Sequence, residues 1–267
     1  MKEFLNTYLL YIKTFFKAKA EYKVSFLFGF LANFYCYFIT FITYWIITKG
    51  AGIIDGWVFE ELSLLYGMSL LTYSIAGTMM WYSVYHLGEI ITMGQLDVML
   101  VRPEGIIRQM IFQRFGDTFL GQIAVTIIFV ISAFLSQSIA LSIGKIIYMF
   151  LCVISGVLIQ MGSMIMFGAV SFWTMRSDQL IGMLYYDLRD MTKFPLSIYP
   201  AKLKLILTFV LPWAFINYYP VLVFLDKSTS VMDTMLGYLA PCVGIIWFAL
   251  GNFVFRCGLK KYSGAGN

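Results

Sequence analysis

Long stretches without charged side chains dominate the chain. Continuous runs occupy residues 24–48, 62–87, 118–144 and 146–175, and shorter ones follow at 205–225 and 235–255. A helix needs about 20 apolar residues to cross the hydrocarbon core of a bilayer, whereas a membrane barrel would show alternating segments of about ten residues. The pattern therefore predicts an all-α polytopic membrane protein with six transmembrane helices.

A charged island at residues 88–117 separates the second and third runs. Its apolar residues recur at helical spacing, at Ile90, Met93, Leu96 and Leu100, which predicts a short amphipathic helix that Pro103 ends. The apolar edge of this helix must pack on the membrane surface, on its own chain or on a partner protein. We favour the partner, and we expect the contact to involve Leu96, Met99 and Leu100.

Residues 1–23 combine five lysines with regularly spaced apolar residues. This composition predicts a basic amphipathic helix at the inner membrane interface, held by its apolar face and by anionic lipids. A simple positively charged flank would not need the ordered apolar stripe. The resulting division is an interfacial helix at 1–23, a transmembrane domain at 24–255 that contains the 88–117 segment, and a cytoplasmic tail at 256–267.

The distribution of basic residues predicts the orientation. With six crossings and the N-terminus inside, 16 of the 19 Lys and Arg residues lie on the inner side, and the exceptions are Lys49, Lys145 and Lys227. Short inner loops of membrane proteins are enriched in Lys and Arg. We therefore expect a multi-pass protein of the cell membrane with both termini in the cytoplasm. Because the net charge of +5 belongs to these loops, we expect membrane lipids and no nucleic acid as partners.

The fifth crossing has two interpretations. The run at 205–225 contains Pro212 and Pro220 with Asn217 between them, and two prolines argue against a regular crossing helix. Alternatively, residues 178–196 cross as a polar helix buried in protein, and residues 198–225 form a broken re-entrant hairpin on the outer side. The basic count then becomes 12 inside and six outside, with Arg189 within the bilayer. The chain crosses once in either case.

Small residues recur at spacings of three and four in the second and fourth runs. They are Gly67, Ser69, Thr72, Ser74, Gly77 and Thr78 in the second, and Gly156, Gly162, Ser163, Gly168 and Ser171 in the fourth. Small residues at this spacing let helices approach closely. We interpret both faces as packing surfaces rather than substrate contacts.

The sequence contains no set of residues suited to catalysis. There is no G-x-x-x-x-G-K-[ST] phosphate loop, and the only histidine, His86, has no second histidine or carboxylate beside it in its run. The four cysteines have no paired spacing, which argues against a metal site or a disulfide framework. We expect no catalytic residues, no metal and no cofactor on this chain, so ATP-driven work requires a separate ATPase chain.

Two motifs carry a family resemblance. The segment GQLDVMLVRP at 94–103 resembles the G-x-L-D-x-x-L-x-R-P segment of a branch of the ABC type-2 export permeases. FPLSIYP at 194–200 and LPWAFINYYP at 211–220 are similar to the second signature of that branch. The resemblance extends over essentially the whole chain, including the basic N-terminal helix and the short loops.

The resemblance implies a permease subunit that dimerises with itself or with a sister permease. Two cytoplasmic ABC ATPase subunits, which hold ATP and Mg, would dock on the helix between the second and third spans. The docking residues carried over are Gly94, Gln95, Leu96, Asp97, Met99, Leu100, Arg102 and Pro103. The family also favours the outer re-entrant hairpin, which would include Phe194, Pro195, Pro200, Pro212, Asn217 and Pro220.

The expected activity is ATP-driven export by alternating access. The first four spans lack the paired charges that ion-coupled carriers and pumps keep at membrane depth, which favours a hydrophobic or amphipathic substrate. The outward direction is implied only by the resemblance. The alternative is an ion-coupled secondary transporter, which would need an internal repeat and discontinuous helices that meet at mid-membrane.

Overall fold

The computed structural model describes residues 2–52, 55–113, 115–136, 142–174, 181–228, 230–262 and 264. Every regular element in these ranges is helical. The α-helices are α1 Lys2–Lys19, α2 Lys23–Ala51, α3 Phe59–Tyr85, α4 Leu87–Thr92, α5 Gln95–Leu100, α6 Ile106–Gln113, α7 Phe119–Ser136, α8 Ile143–Ala169, α9 Ser171–Thr174, α10 Tyr186–Met191, α11 Ala201–Leu205, α12 Tyr218–Phe224 and α13 Val231–Leu259. Wider π-type turns at Ile181–Tyr185 and Ile206–Val210 adjoin α10 and α11.

The predicted all-α polytopic class is confirmed. Four helical stretches are long and apolar enough to cross a membrane, and they are Leu10–Gly50, Phe59–Thr92, Ile143–Thr174 and Val231–Leu259. A fifth is possible if the bent pair Ala201–Val210 and Trp213–Phe224 counts as one span. The third predicted crossing corresponds to α7, whose apolar part, Phe119–Phe134, is shorter than the others. The count of six spans stays a prediction.

The N-terminal helix packs on its own chain. A single 3-10 turn, Ala20–Tyr22, separates α1 from α2, which begins at Lys23. The Tyr11 ring stacks on the Phe112 ring at a centroid distance of 5.7 Å, and the Lys19 ammonium lies 2.8 Å from the Asp117 carboxylate. These contacts hold α1 against residues 106–117.

α3 is the central helix of the bundle. Most of its apolar length is buried, because α7 and α8 pack on two of its sides. A side chain at Gly67 would meet Phe129 and Val130 of α7, and one at Gly156 of α8 would meet Thr72. The small residues of α3 and α8 therefore lie at helix contacts, which confirms their interpretation as packing surfaces.

α8 and α13 form the closest helix pair. A Cβ atom added to Gly244 of α13 would overlap the backbone carbonyl of Ser155 of α8. The Ser155 hydroxyl donates a hydrogen bond to the Ala240 carbonyl and accepts one from the Gly244 N–H. Glycine at this contact lets the two backbones meet and lets a polar side chain be satisfied inside an apolar layer.

The 205–225 run is not a regular helix. The helical stretches Ala201–Val210 and Trp213–Phe224 meet at an angle of 77°, with Pro212 at the bend. The described part of the alternative crossing is helical from Ile181 to Met191, and residues 178–180 lie outside the described ranges. Pro212 thus breaks this region as expected, whereas Pro220 lies within the first turn of α12.

The bundle has two chemically distinct ends. At one end, which we call the ion-pair end, Lys49 pairs with Glu60, Lys227 with Glu61 and Lys145 with Asp226. This end includes the first turns of α3, α8 and α13. At the opposite end lie α4, α5 and α6, which together with their connecting turns form residues 87–113, the platform.

Candidate functional site

The platform consists of three short helices joined by tight turns. α4 ends at Thr92, and Gly94 adopts a left-handed conformation with a φ of 69°. Such a residue interrupts the regular pattern of helical backbone angles. The single amphipathic helix expected across residues 90–100 is therefore wrong, because α4 and α5 are separate helices. α5 ends at Leu100, before Pro103, as the proline predicted.

One side of α5 packs against the rest of the chain. Leu96 is completely buried and Met99 is 6% exposed. The side-chain amide of Gln109, on α6, donates hydrogen bonds to the carbonyl oxygens of Met99 at 2.8 Å and Glu104 at 2.7 Å. The last carbonyls of a helix have no intrahelical partner, so these bonds satisfy backbone groups and fix the turn that follows α5.

The platform is tied directly to the end of α3. The Ser83 hydroxyl donates a hydrogen bond of 2.8 Å to the carbonyl oxygen of Met110 on α6. The N–H of Gly116, just beyond the platform, donates to the Thr78 carbonyl at 2.9 Å. Both bonds are made by the last two turns of α3. Two hydrogen bonds therefore connect the platform and the residues just beyond it to the central helix of the bundle.

The other side of the platform carries an exposed apolar patch. Its members and their exposed fractions are Met93 64%, Val98 54%, Leu100 45% and Val101 84%. Gln95, Asp97, Arg102 and Pro103 of the same segment are also exposed. Exposed apolar side chains interspersed with polar ones are typical of a protein interaction site.

The predicted apolar edge is divided between the two sides of α5. Leu96 and Met99 contact their own chain, so of the three residues expected at the partner contact only Leu100 is accessible. Met93, Val98 and Val101 take the exposed positions, and sequence reasoning did not assign Val98 or Val101 to this surface. Helical spacing identifies an apolar stripe, but it does not say which stripe the chain itself covers.

The second predicted site joins three segments through Asn217. The Asn217 side-chain oxygen accepts from the Tyr218 N–H at 2.8 Å, at the start of α12. Its amide group donates to the carbonyls of Leu65 at 3.2 Å and Thr192 at 2.7 Å. Pro220 lies in the first turn of α12, where its missing N–H leaves no helical hydrogen bond unmade.

The remaining residues of that site lie toward the ion-pair end. The Phe194 ring is 5.9 Å from the Tyr44 ring of α2, and the Tyr44 hydroxyl donates to the Lys193 carbonyl at 3.0 Å. Pro195 and Pro200 enclose the short turn Leu196–Ile198. Phe194 is thus held against the C-terminal half of α2, and Pro195 and Pro200 follow it at the ends of that turn.

The bend is anchored deep in the bundle by one hydroxyl group. The indole N–H of Trp213 donates to the Ser163 oxygen at 2.8 Å, and the indole N–H of Trp247 donates to the same oxygen at 2.9 Å. Ser163 belongs to α8 and Trp247 to α13. The hydroxyl therefore joins the bend to both helices of the closest pair.

A charged side chain lies beside the middle of α3. The Arg189 guanidinium is 4.3 Å from the centre of the Tyr73 ring and 5.1 Å from that of Tyr186. Nη2 donates to Asp190 at 3.3 Å, whereas Nη1 is buried without a hydrogen-bond partner. Guanidinium groups stack favourably on aromatic faces. The sequence identified Arg189 as a charge at membrane depth but could not identify the aromatic rings that hold it.

The comparisons with known proteins give one match. A family model described as "ABC-2 family transporter protein" matches residues 34–266, which is most of the chain. Neither the curated proteins nor the solved structures contain a match. The matched region includes the platform and the bent pair, and both predicted sites lie within it.

Proposed function

This chain belongs to the ABC-2 family of transporter proteins, and we propose that it is the permease subunit of an ATP-driven exporter of hydrophobic or amphipathic molecules. Membership identifies it as a membrane component of an ABC transporter that is not itself catalytic, and it implies association with ABC ATPase subunits. The export direction, the cargo and the assembly are parts of the proposal.

The observation that carries the proposal is the exposed patch on the platform. Met93, Val98, Leu100 and Val101 present apolar surface to the surroundings, while the buried side of α5 fixes them in place. Rigid presentation lowers the entropy lost on binding. We propose that an ATPase subunit covers this patch and that the exposed Asp97 and Arg102 set the register through polar contacts.

The proposed topology puts the platform end in the cytoplasm. α1, the platform and the C-terminal tail then lie inside, and the ion-pair end lies outside, in agreement with the excess of Lys and Arg in the inner segments. The six crossings are α2, α3, α7, α8, a segment that ends with α10, and α13. The bent pair is then a re-entrant hairpin that enters from the outside, with its tip at Trp213.

The contacts of the bent pair support this arrangement. Thr192, after α10, bonds to Ser69 in the first half of α3, and Asp226, after α12, pairs with Lys145 at the ion-pair end. Between them, Trp213 reaches Ser163, far along α8 from its first residue. The chain thus approaches the ion-pair end, descends to the bend and returns.

The proposed mechanism is alternating access in a dimer, identical or paralogous, that carries two ATPase subunits with their ATP and Mg. Closure of the ATPase subunits moves the two platforms. The Ser83–Met110 hydrogen bond conveys this motion to α3, and with it to the helices packed around α3. A rigid-body motion of packed helices is an established way to switch between inward- and outward-open states.

Co-expression with candidate ABC ATPase subunits tests the proposal. We expect an ATPase to be retained by the purified chain in mild detergent, and reconstituted vesicles to move an amphipathic cargo only when ATP is present. Retention should be lost when the patch is altered. Transport by this chain alone, without an ATPase subunit, would contradict the proposal.

The charges at Asp187, Arg189 and Asp190 keep an ion-coupled carrier as the second candidate, because ionisable groups at membrane depth often serve ion pathways. The two functions differ in their energy source. Dissipating the proton gradient with an uncoupler while ATP is maintained abolishes transport by an ion-coupled carrier and leaves transport by an ATP-driven exporter.

A further inference from the structure

An apolar cavity of about 210 Å³ lies between α3, α7, α8 and α12, toward the ion-pair end. Its lining includes Leu64, Met68, Phe134, Met149, Val153 and Phe224. All of these side chains are aliphatic, aromatic or thioether groups, so the cavity offers almost no hydrogen-bonding partner. None of them takes part in the platform, the Asn217 contacts or the Arg189 stack.

Its size and chemistry favour an apolar occupant over water. A cavity of about 150 Å³ lined by Leu, Ile and Phe stays dry and binds small apolar molecules. The present cavity is larger and opens on one side, where Ile146 and Phe150 of α8 line it and are 54% and 64% exposed. In a membrane protein this exposed face of α8 is surrounded by lipid chains.

A cation lies at the end of the cavity nearest the ion-pair end. The Lys145 ammonium is 5.8 Å from the centre of the Phe224 ring, which lines the cavity, and 2.6 Å from the Asp226 carboxylate. Asp226 is 77% exposed, and such surface ion pairs are weak. An ammonium group has three hydrogen-bond donors, so Lys145 can bind a second anion beside Asp226.

The depth of the cavity matches that of acyl chains. Leu64 and Met68 follow the first residue of α3 by five and nine positions, which corresponds to about 8 and 14 Å along a helix. Polar ion pairs lie at the start of α3, and apolar cavity surface follows. The same order of charge and apolar chain occurs in a phospholipid.

We propose that the cavity binds one acyl chain of a phospholipid from the leaflet at the ion-pair end, with the lipid phosphate at Lys145. The chain fills the space between α3, α7, α8 and α12. The bound lipid thereby bridges the bent pair to α7 and α8 across a space that the protein's own side chains do not fill. This inference needs only that the chain resides in a membrane, and it is independent of the ATPase partner.

Native mass spectrometry of the full chain in mild detergent tests the site. The probes are phosphatidylglycerol, phosphatidylethanolamine and diacylglycerol with identical acyl chains. We expect one tightly retained molecule of either phospholipid and at least three-fold weaker retention of diacylglycerol. Val153→Phe fills the cavity and should lower phospholipid retention at least three-fold. Ile154→Phe adds the same ring at the adjacent, exposed position outside the cavity and should change nothing.

Lys145→Gln separates the headgroup contact from the chain contact. It should reduce phospholipid retention to the level of diacylglycerol and leave diacylglycerol unaffected. Equal retention by the Val153→Phe and Ile154→Phe variants would overturn the assignment of the cavity. Equal binding of phospholipid and diacylglycerol by the wild type would overturn the role of Lys145.

A measurement on the unaltered chain tests the proposal without depending on whether the variants fold. A phospholipid with a photoreactive group in its acyl chain should crosslink to Met68, which is 2% exposed and therefore not accessible to lipid at the outer surface. Crosslinks confined to exposed residues such as Ile154 and Phe253 would overturn the proposal, because the probe would then report only the surrounding lipid.

Discussion

The Ser83 hydroxyl and the Met110 carbonyl form a 2.8 Å hydrogen bond that joins α3 to the platform. Met110 lies in the last turns of α6 and Ser83 is fully buried near the end of α3. Ser83→Ala removes the donor of this buried bond. We expect a loss of about 0.5–1.5 kcal/mol in the free energy of unfolding, measured by chemical denaturation in detergent.

The same variant should also reduce transport per ATP hydrolysed, because the platform then moves with less constraint on α3. Ser132→Ala is the matched control, since the Ser132 hydroxyl donates to the Phe129 carbonyl of its own helix. If both variants transport as efficiently as the wild type, the Ser83–Met110 bond does not couple the platform to the spans.

Two substitutions on opposite sides of α5 separate docking from folding. Val98→Arg places a charge on the exposed patch, and we expect at least a ten-fold loss of ATPase binding with normal membrane insertion. Leu96→Arg places the same charge in a fully buried position, which costs several kcal/mol and should reduce the amount of folded chain. ATPase pull-down and size-exclusion chromatography measure the two effects. Normal ATPase binding by Val98→Arg would exclude the patch as the docking surface.

Cysteine labelling tests the re-entrant hairpin. In a background without the four native cysteines, single cysteines replace Lys202, Asp226 or Arg102, all of which are exposed. A hairpin that enters and leaves on the outer side predicts that Lys202→Cys and Asp226→Cys react with an impermeant maleimide in intact cells. Arg102→Cys should react only after permeabilisation. Labelling of Asp226→Cys without Lys202→Cys would show that the bent pair crosses the membrane.

The contact of α8 with α13 should be intolerant of one added methyl group. Gly244→Ala forces a Cβ atom against the Ser155 carbonyl, and we expect the free energy of unfolding to fall by about 1–3 kcal/mol. Gly29→Ala is the control, because the new atom on α2 meets no neighbouring helix within 4 Å. There the higher helix propensity of alanine should raise stability by about 0.5–1 kcal/mol. A comparable loss at both positions would contradict the packing argument.

Arg189→Gln removes a guanidinium from between two aromatic rings. The stack with Tyr73 and Tyr186 should contribute about 1–2 kcal/mol, and thermal denaturation should show this loss. Arg189→Lys keeps the charge but not the planar group, so we expect partial recovery. Lys193→Gln removes the neighbouring cation, which pairs with Asp190 outside the stack, and should have little effect. Equal stability of the Gln and Lys variants at position 189 would argue against planar stacking.

Hydrophobic patterning predicted the features of this fold that depend on local sequence. The start of α2, the small-residue contacts of α3 and α8, and the break near Pro212 each follow from residues close together in the chain. The burial of Leu96 and Met99 could not be predicted in this way, because it depends on Gln109 and α6, which cover one side of α5. The contact of Arg189 with Tyr73 could not be predicted either, because Tyr73 belongs to a different helix and residue spacing does not specify pairs between helices.

The shared acceptor at Ser163 determines which parts of the bundle can shift independently. Because both indole groups donate to one oxygen, α8, α13 and the bend should move as a single block, since sliding of α8 past either partner breaks a buried hydrogen bond. Among the described residues, α2 makes no such hydrogen bond to that block, and it packs mainly along α7. Relative motion of the helices should therefore occur beside the first transmembrane helix. The fluorescence of Trp213 and Trp247 should stay constant as long as both indole groups remain bonded to Ser163.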